Sequence, residues 1–257
     1  MTSIQEIASK YFPGTEPCRC GGAHSICLNC AKCRADEPDE LYTPGDPIAS
    51  IIDATVLKAD ATDDDIRALC ATANEHDTAS VCVNSHFVPL VKKLLTDSVK
   101  SCTVINFPLG ANSRKAVKKE AKAVIEAGID ELDMVQNIAA LRSGDWQMAL
   151  ETIKSVAIQC LENSVLLKVI LETCYLSREQ IILSCLLAKK AGAKFVKTST
   201  GFGSAGATAE NIALMREVVG PKLGVKASGG IRDKASALSM IDAGANRIGA
   251  SSVTALL

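Results

Sequence analysis

From Ile48 onward, short apolar runs alternate with amphipathic stretches. The runs are Ile48 to Asp53, Thr78 to Asn84, Lys100 to Phe107, Asp130 to Asn137, Val165 to Glu172, Phe195 to Thr200, Leu223 to Gly229 and Arg247 to Ser251. Each is short and mostly apolar, the pattern of a strand covered on both faces. Between them the period changes to that of helices. Thr62, with Asp65 three residues later, marks a helix start, and that helix is predicted to run to about Glu75. A second is predicted from Phe87 to Leu95, and others open at Ser113, Asp145, Ser177, Thr208 and Asp233. Val117, Ala121, Val124 and Ile125 share one face of the helix after Ser113. Three exits, Ala127-Gly128, Ala191-Gly192 and Ala243-Gly244, have one form: glycine ends a helix and a strand follows. Eight strand signals alternating with seven or eight helices predict an α/β chain folded as a closed (β/α)8, or TIM, barrel. A doubly wound open sheet is the alternative, and the eightfold count favours the barrel.

The first 47 residues follow another pattern. Pro13, Gly14, Pro17, Gly21, Gly22, Pro38, Pro44, Gly45 and Pro47 mark loop and linker. A boundary near residue 47 separates an N-terminal Cys-rich extension (1–47) from a barrel domain (48–257). Cys18, Cys20, Cys27, Cys30 and Cys33 crowd into the extension with His24 among them. Their C-x2-C steps let two thiolates turn onto one tetrahedral metal ion, although two well-separated pairs are lacking. A surface extension with unliganded thiols is the other reading. Cys70, Cys82, Cys102, Cys160, Cys174 and Cys185 sit in apolar segments and read as small buried hydrophobes in a reducing compartment.

Composition narrows the function. The net charge of −1 argues against a general nucleic-acid or membrane-surface binder. No apolar run approaches the roughly 18 residues of a membrane span, and the N-terminus lacks a signal pattern, so a cytoplasmic protein is expected. His24, His76 and His86 are scattered, so a three-histidine zinc site or a Ser-His-Asp triad is not expected. Catalysis then falls to lysine and carboxylate.

In such a barrel the C-terminal ends of the strands carry the chemistry. Strand one is expected to end at Asp53; strand two carries Cys82 and ends at Asn84. Lys168 is the sharpest signal. In VLLKVILE, period-two geometry puts Leu166, Lys168, Ile170 and Glu172 on one face. Burial disfavours a lysine's charge and leaves a nucleophilic amine able to form a Schiff base; a lysine snorkelling from a strand edge is the plain alternative. Lys197 lies on the next strand, where one cation can activate its neighbour; alone it reads equally as a phosphate ligand. Asp133 either shuttles protons or makes a structural salt bridge. Gly229-Gly230 and Ser251-Ser252 follow the last two strands, where barrels often hold phosphate. Gly201 to Gly206 fits G-x-G-x-x-G, a dinucleotide signature, but it follows the sixth strand and lacks the acidic residue about 20 positions on.

Taken together, IDATVLKADAT, SVCVN, ELDMVQNIAAL, LLKVILET, FVKTSTGF, VKASGGIR and RIGASS resemble the deoxyribose-phosphate aldolase family of class I aldolases. The resemblance implies that Lys168 is the Schiff-base nucleophile and that Asp133 and Lys197 transfer protons. It implies that Gly201, Gly229, Gly230, Ser251 and Ser252 hold the substrate phosphate, that Thr173 contacts substrate and that Asp53 supports the lysines, with Cys82 and Asn84 nearby. The implied substrates are a small phosphorylated sugar and acetaldehyde, with no metal or cofactor, in a homo-oligomer. Three features depart from the family pattern. Ser85-His86 stands where proline then tyrosine is common, the chain stops at Leu257 without a tyrosine-bearing tail, and the Cys-rich extension has no counterpart. Another Schiff-base aldolase acting on a phosphosugar, a nucleotide-dependent oxidoreductase using the 201–206 glycine loop and a metal-bearing docking module are the competing readings.

Overall fold

The computed structural model describes residues 3–13, 16–17, 26–27 and 47–257. Eight parallel strands close a barrel: β1 Ile52–Val56, β2 Ser80–Val83, β3 Lys100–Ile105, β4 Glu131–Val135, β5 Leu166–Ile170, β6 Phe195–Lys197, β7 Gly224–Ser228 and β8 Arg247–Ala250. The ring closes where β8 pairs with β1, Gly249 opposite Asp53 and Ala250 opposite Ala54.

Alternation along each strand gives the barrel two surfaces. Ala54, Val81, Leu132, Met134, Leu167, Val169, Val196, Val225 and Ile248 are buried in the apolar layer with the helices. Each such aliphatic side chain contributes about 1.5–3 kcal/mol by leaving water. The intervening residues point into the barrel, and many of them are charged. At the barrel's lower end Phe195 fills the space beside Gly224, where a Cβ would lie 2.2 Å from the ring.

The helical layer comprises α1 Ile4–Tyr11, α2 Asp63–Glu75, α3 Val88–Leu94, α4 Arg114–Glu126, α5 Ile138–Arg142, α6 Trp146–Glu162, α7 Arg178–Ala191, α8 Ala209–Val219 and α9 Lys234–Asp242. The expected starts hold. Thr62, Ser113, Asp145, Ser177, Thr208 and Asp233 each cap the backbone N–H three residues on. Gly192 ends α7 at φ 104°, as the Ala-Gly pattern predicts.

Three expectations need correction. Ile48–Ile51 is a 3-10 turn, not strand, so β1 begins four residues later and Asp53 is its second residue rather than its end. The short α5 was not anticipated; one and a half turns are too brief to show a period. Residues 4–11, ahead of the proline- and glycine-rich stretch, form a helix that was not anticipated. Ser3 and Glu6 make a capping box, and Ile4, Ile7 and Ala8 are buried against the barrel's outer layer. Lys10 pairs with Glu179 of α7 at 2.8 Å, and the Phe12 ring meets Trp146 edge-on at 5.6 Å.

Glu16–Pro17 pairs antiparallel with Ile26–Cys27. His24, Cys18, Cys20, Cys30 and Cys33 lie outside the described residues. Of the six cysteines in the barrel, Cys174 is half-buried and the other five are buried. Burial pushes the Cys70 thiol up to about 11 and Cys160 up to about 12, which keeps both as protonated packing groups. Among the described residues, no helix is long and apolar enough to cross a membrane.

Ile7 is 1% exposed, so Ile7→Ala should cost about 2–5 kcal/mol in urea unfolding. A loss below about 0.5 kcal/mol, the usual range for surface substitutions, would mean that α1 does not pack on the barrel.

Candidate active site

Four cations and three carboxylates converge inside the barrel. Asp133 of β4 is their centre. Its Oδ1 accepts from the Lys168 ammonium at 2.8 Å; its Oδ2 accepts from Lys197 at 2.7 Å and Lys226 at 2.8 Å. Lys168 also bonds Glu131 and approaches Asp53 at 3.6 Å and the Cys102 sulfur at 3.5 Å. Lys226 has Asp53 as its second carboxylate. Arg247 spans Asp53 at 2.8 Å and Glu131 at 3.1 Å.

The parallel register explains the convergence. Asp133 stands opposite Lys168, Lys197 opposite Lys226, and Arg247 opposite Lys226. All are at least nine-tenths buried, where an unpaired charge would cost several kcal/mol. Pairing outweighs that cost. Burial alone would raise Asp133, but Lys168, Lys197 and Lys226 hold its carboxyl well below the usual range. Asp53 is likewise held down by Lys226, Lys168 and Arg247 against burial. Burial would lower Lys168, yet Asp133, Cys102, Glu131 and Asp53 lift it well above an ordinary lysine. Lys226 is lifted in the same way by Asp133 and Asp53.

Above this network a cavity of about 790 Å³ opens at the strand ends. Lys197, the last residue of β6, lines it; Lys168 and Lys226 do not. Gly201, Gly229, Gly230 and Ser251 form one wall. Gly229 and Gly230 adopt φ 84° and 82°, a region open to glycine and strained for other residues. The β6 loop is clamped from below by Glu172, itself at φ 56°. Its carboxylate accepts from the Thr200 N–H at 3.2 Å and from the Thr200 hydroxyl. The glycines at 203 and 206 have a packing role. A Cβ on Gly206 would lie 2.0 Å from the Gly229 carbonyl oxygen, so the G-x-G-x-x-G spacing reflects two loops meeting backbone to backbone.

The other expected residues are distributed as follows. Lys168, expected as the nucleophile, is fully buried below the cavity, with Asp53, Glu131 and Asp133 around its ammonium. Asp133, Asp53 and Cys82 lie at the same depth, Asp53 within the lysine network as expected. Thr173 is buried behind the β6 loop, its N–H on the Thr198 carbonyl and its hydroxyl without a partner among the described residues. Asn84 sits behind the β1 loop, donating to the carbonyls of Leu57 and Lys58. Ser252 is exposed beside Ser251 and does not line the cavity. Lys226, Glu131 and Arg247 were not anticipated. Period two offered a signal: Glu131 and Asp133 alternate on one strand face, as do Lys226 and Ser228.

Cys82, Cys102 and Asp133 bring potential metal-ligating atoms within 4.8 Å of one another. Asp133 already accepts from three ammonium groups, however, so a cation there would face three positive charges.

An amine at the buried end of a barrel-mouth cavity, with an anion-ready glycine wall beside it, defines a class of barrel enzyme equipped for amine chemistry on a carbonyl next to a bound anion. The comparisons narrow it further. A profile of the DeoC/LacD family of aldolases matches residues 48–257. The deoxyribose-phosphate aldolase of Histophilus somni strain 2336 is 51% identical over 211 residues, covering 82% of this chain and 93% of that one. That of Carboxydothermus hydrogenoformans is 53% identical over 213 residues, covering 82% and 93%. The tetrameric deoxyribose phosphate aldolase structure from Aeropyrum pernix is 32% identical with TM-score 0.74, covering 81% of this chain and 88% of that one. The chain belongs to the DeoC/LacD aldolase family.

Asp133→Asn removes the shared anion and leaves three buried ammonium groups, which should cost about 3–5 kcal/mol at neutral pH. Because its folded pKa is depressed, Asp133 stabilises fully above about pH 4 and loses that contribution as pH falls toward the folded value. In denaturation curves the gap between the two proteins should therefore narrow in acid. A gap that widened below that pH would contradict the pairing.

Proposed function

We propose that the chain is a class I aldolase that reversibly cleaves 2-deoxy-D-ribose 5-phosphate into D-glyceraldehyde 3-phosphate and acetaldehyde, with Lys197 as the imine-forming amine. One observation carries the assignment. Of the three lysines on Asp133, Lys197 alone lines the cavity, and it has one carboxylate partner where the others have two or more. The family relationship supports the substrate, and the glycine and serine wall suits its phosphate.

The network holds four cations against three carboxylates, so it can give up one proton and remain balanced. The neutral Lys197 amine adds to the C1 aldehyde of the open-chain sugar, and water leaves to give a protonated imine. Loss of the C3 hydroxyl proton breaks the C2–C3 bond. The electron pair moves into the imine, leaving an enamine and releasing glyceraldehyde 3-phosphate. Protonation at C2 and hydrolysis then release acetaldehyde and restore the amine. Lys226, kept charged by Asp133 and Asp53, donates and recovers protons through Asp133 and bound water. The protonated imine is the electron sink, so no step calls for a metal or organic cofactor. Gly201, Gly229, Gly230 and Ser251, which line the cavity, hold the phosphate.

We also infer a homo-oligomer, on the precedent of the tetrameric relative, and a cytoplasmic setting, supported by six unpaired cysteines among the described residues.

Release of acetaldehyde from 2-deoxyribose 5-phosphate, followed in a coupled assay, tests the roles. Lys197→Leu should give no turnover. Lys226→Leu should lower kcat about 10²–10⁴-fold while still forming the imine. A Lys197→Leu protein that cleaves at the unaltered rate rules the assignment out.

A further inference from the structure

We propose that Lys58, on the loop after β1, is a specificity-determining residue whose ammonium compensates the charge of the substrate phosphate, and that Asn84 positions it. The inference rests on the aldolase reading above and concerns how that site selects a phosphorylated sugar.

A phosphate monoester brings close to two negative charges into the cavity. The Gly201, Gly229, Gly230 and Ser251 wall offers neutral donors only. Charge-assisted hydrogen bonds are roughly twice as strong as neutral ones, so a phosphate-selective site gains most from a cation. Among the described residues that line the cavity, the cations are Lys58, Lys197 and Arg232. Lys197 is committed to Asp133 and to the carbonyl. Arg232, two residues after Gly230, adds a cation on the side of the glycine wall. Lys58 comes from the other side. Because β1 pairs with β8, Ala54 opposite Ala250, the loop carrying Lys58 stands next to Ser251.

Lys58 is exposed, but the chain beneath it is fixed twice. Leu57, the residue before it, is buried against Cys82, Cys102 and Val104. Asn84, from the end of β2, donates its side-chain amide to the Leu57 carbonyl at 3.3 Å and the Lys58 carbonyl at 3.5 Å. A surface lysine with no task requires neither anchor. Asp60 and Asp65 share this wall and would repel a phosphate. Asp65 is occupied as a helix cap, accepting from the Thr62 N–H at 2.8 Å and hydroxyl at 2.7 Å. Those bonds chiefly, with the Lys58 charge adding to them, hold its carboxyl below the usual range. Lys58 thus shares the cavity with the acidic start of α2 and the phosphate wall, and its charge offsets that of Asp60 and Asp65 at the cavity mouth.

The test compares kcat/KM for 2-deoxyribose 5-phosphate with kcat/KM for 2-deoxyribose in the full-length protein. Lys58→Met should lower the ratio of the two about tenfold, the value of one charged hydrogen bond, and Lys58→Arg should largely restore it. Asn84→Ala should lower the same ratio by a smaller factor, through KM rather than kcat. Acetaldehyde trapping with borohydride is run in parallel on every variant. Equal losses on both substrates, or an unchanged ratio with trapping intact, would overturn the role of Lys58. Failure of the unaltered protein to trap acetaldehyde would instead overturn the aldolase reading beneath it.

Discussion

One carboxylate holds the interior of this barrel together. Asp133 accepts from three lysine ammonium groups that arrive from three different strands. None of those lysines would be tolerated in the core alone, because a buried, unpaired ammonium costs several kcal/mol. Asp53 and Glu131 complete the compensation and tie in Arg247. The result is a rigid charged layer with one positive charge more than it has carboxylates. In the proposed mechanism that imbalance lets one amine act as a nucleophile without stranding a charge, and position selects which one. Lys197 ends its strand and meets the cavity; Lys168 and Lys226 lie within theirs.

The apolar shell makes this possible at a distance. Every barrel strand turns one face to the helices and one to the interior, so aliphatic packing outside determines the register inside. The register then brings Asp133, Lys168, Lys197 and Lys226 to a common point. The loops above are fixed by further buried contacts: Glu172 under Thr200, Gly206 against Gly229, Asn84 behind Leu57 and Lys58. Substrate-binding loops need such support, because imine chemistry depends on presenting the carbonyl to one amine and not to its neighbours.

Much of this was readable from the chain. The eight strand signals, six helix caps and the Ala-Gly exits follow local rules, and local rules predicted them. The sequence is less informative about a residue's height along the barrel. Period two places Lys168 on the inner face, but it does not say that Lys168 lies one layer below Lys197. Counting from the strand ends would have separated them, since Lys197 is the last residue of β6 and Lys168 the third of β5. Ile48 to Ile51 is as apolar as a strand but forms a 3-10 turn, so the apolar run does not show where β1 begins or that Asp53 lies near its start. Glu131 and Arg247 open their strands, away from the C-terminal ends where barrel chemistry is expected. The helix at residues 4–11 carried a legible capping box at Ser3 and Glu6, obscured by the proline- and glycine-rich stretch that follows. No local signal shows that Lys226 faces Asp133; that is a property of barrel closure.

The central claim is that Lys197, and not the more deeply buried Lys168, carries the covalent chemistry. Borohydride reduction in the presence of acetaldehyde, followed by peptide mass mapping, reads this directly. The account predicts a single ethyl-modified lysine at position 197, with Lys168 and Lys226 unmodified. Modification at Lys168 with Lys197 untouched would contradict it.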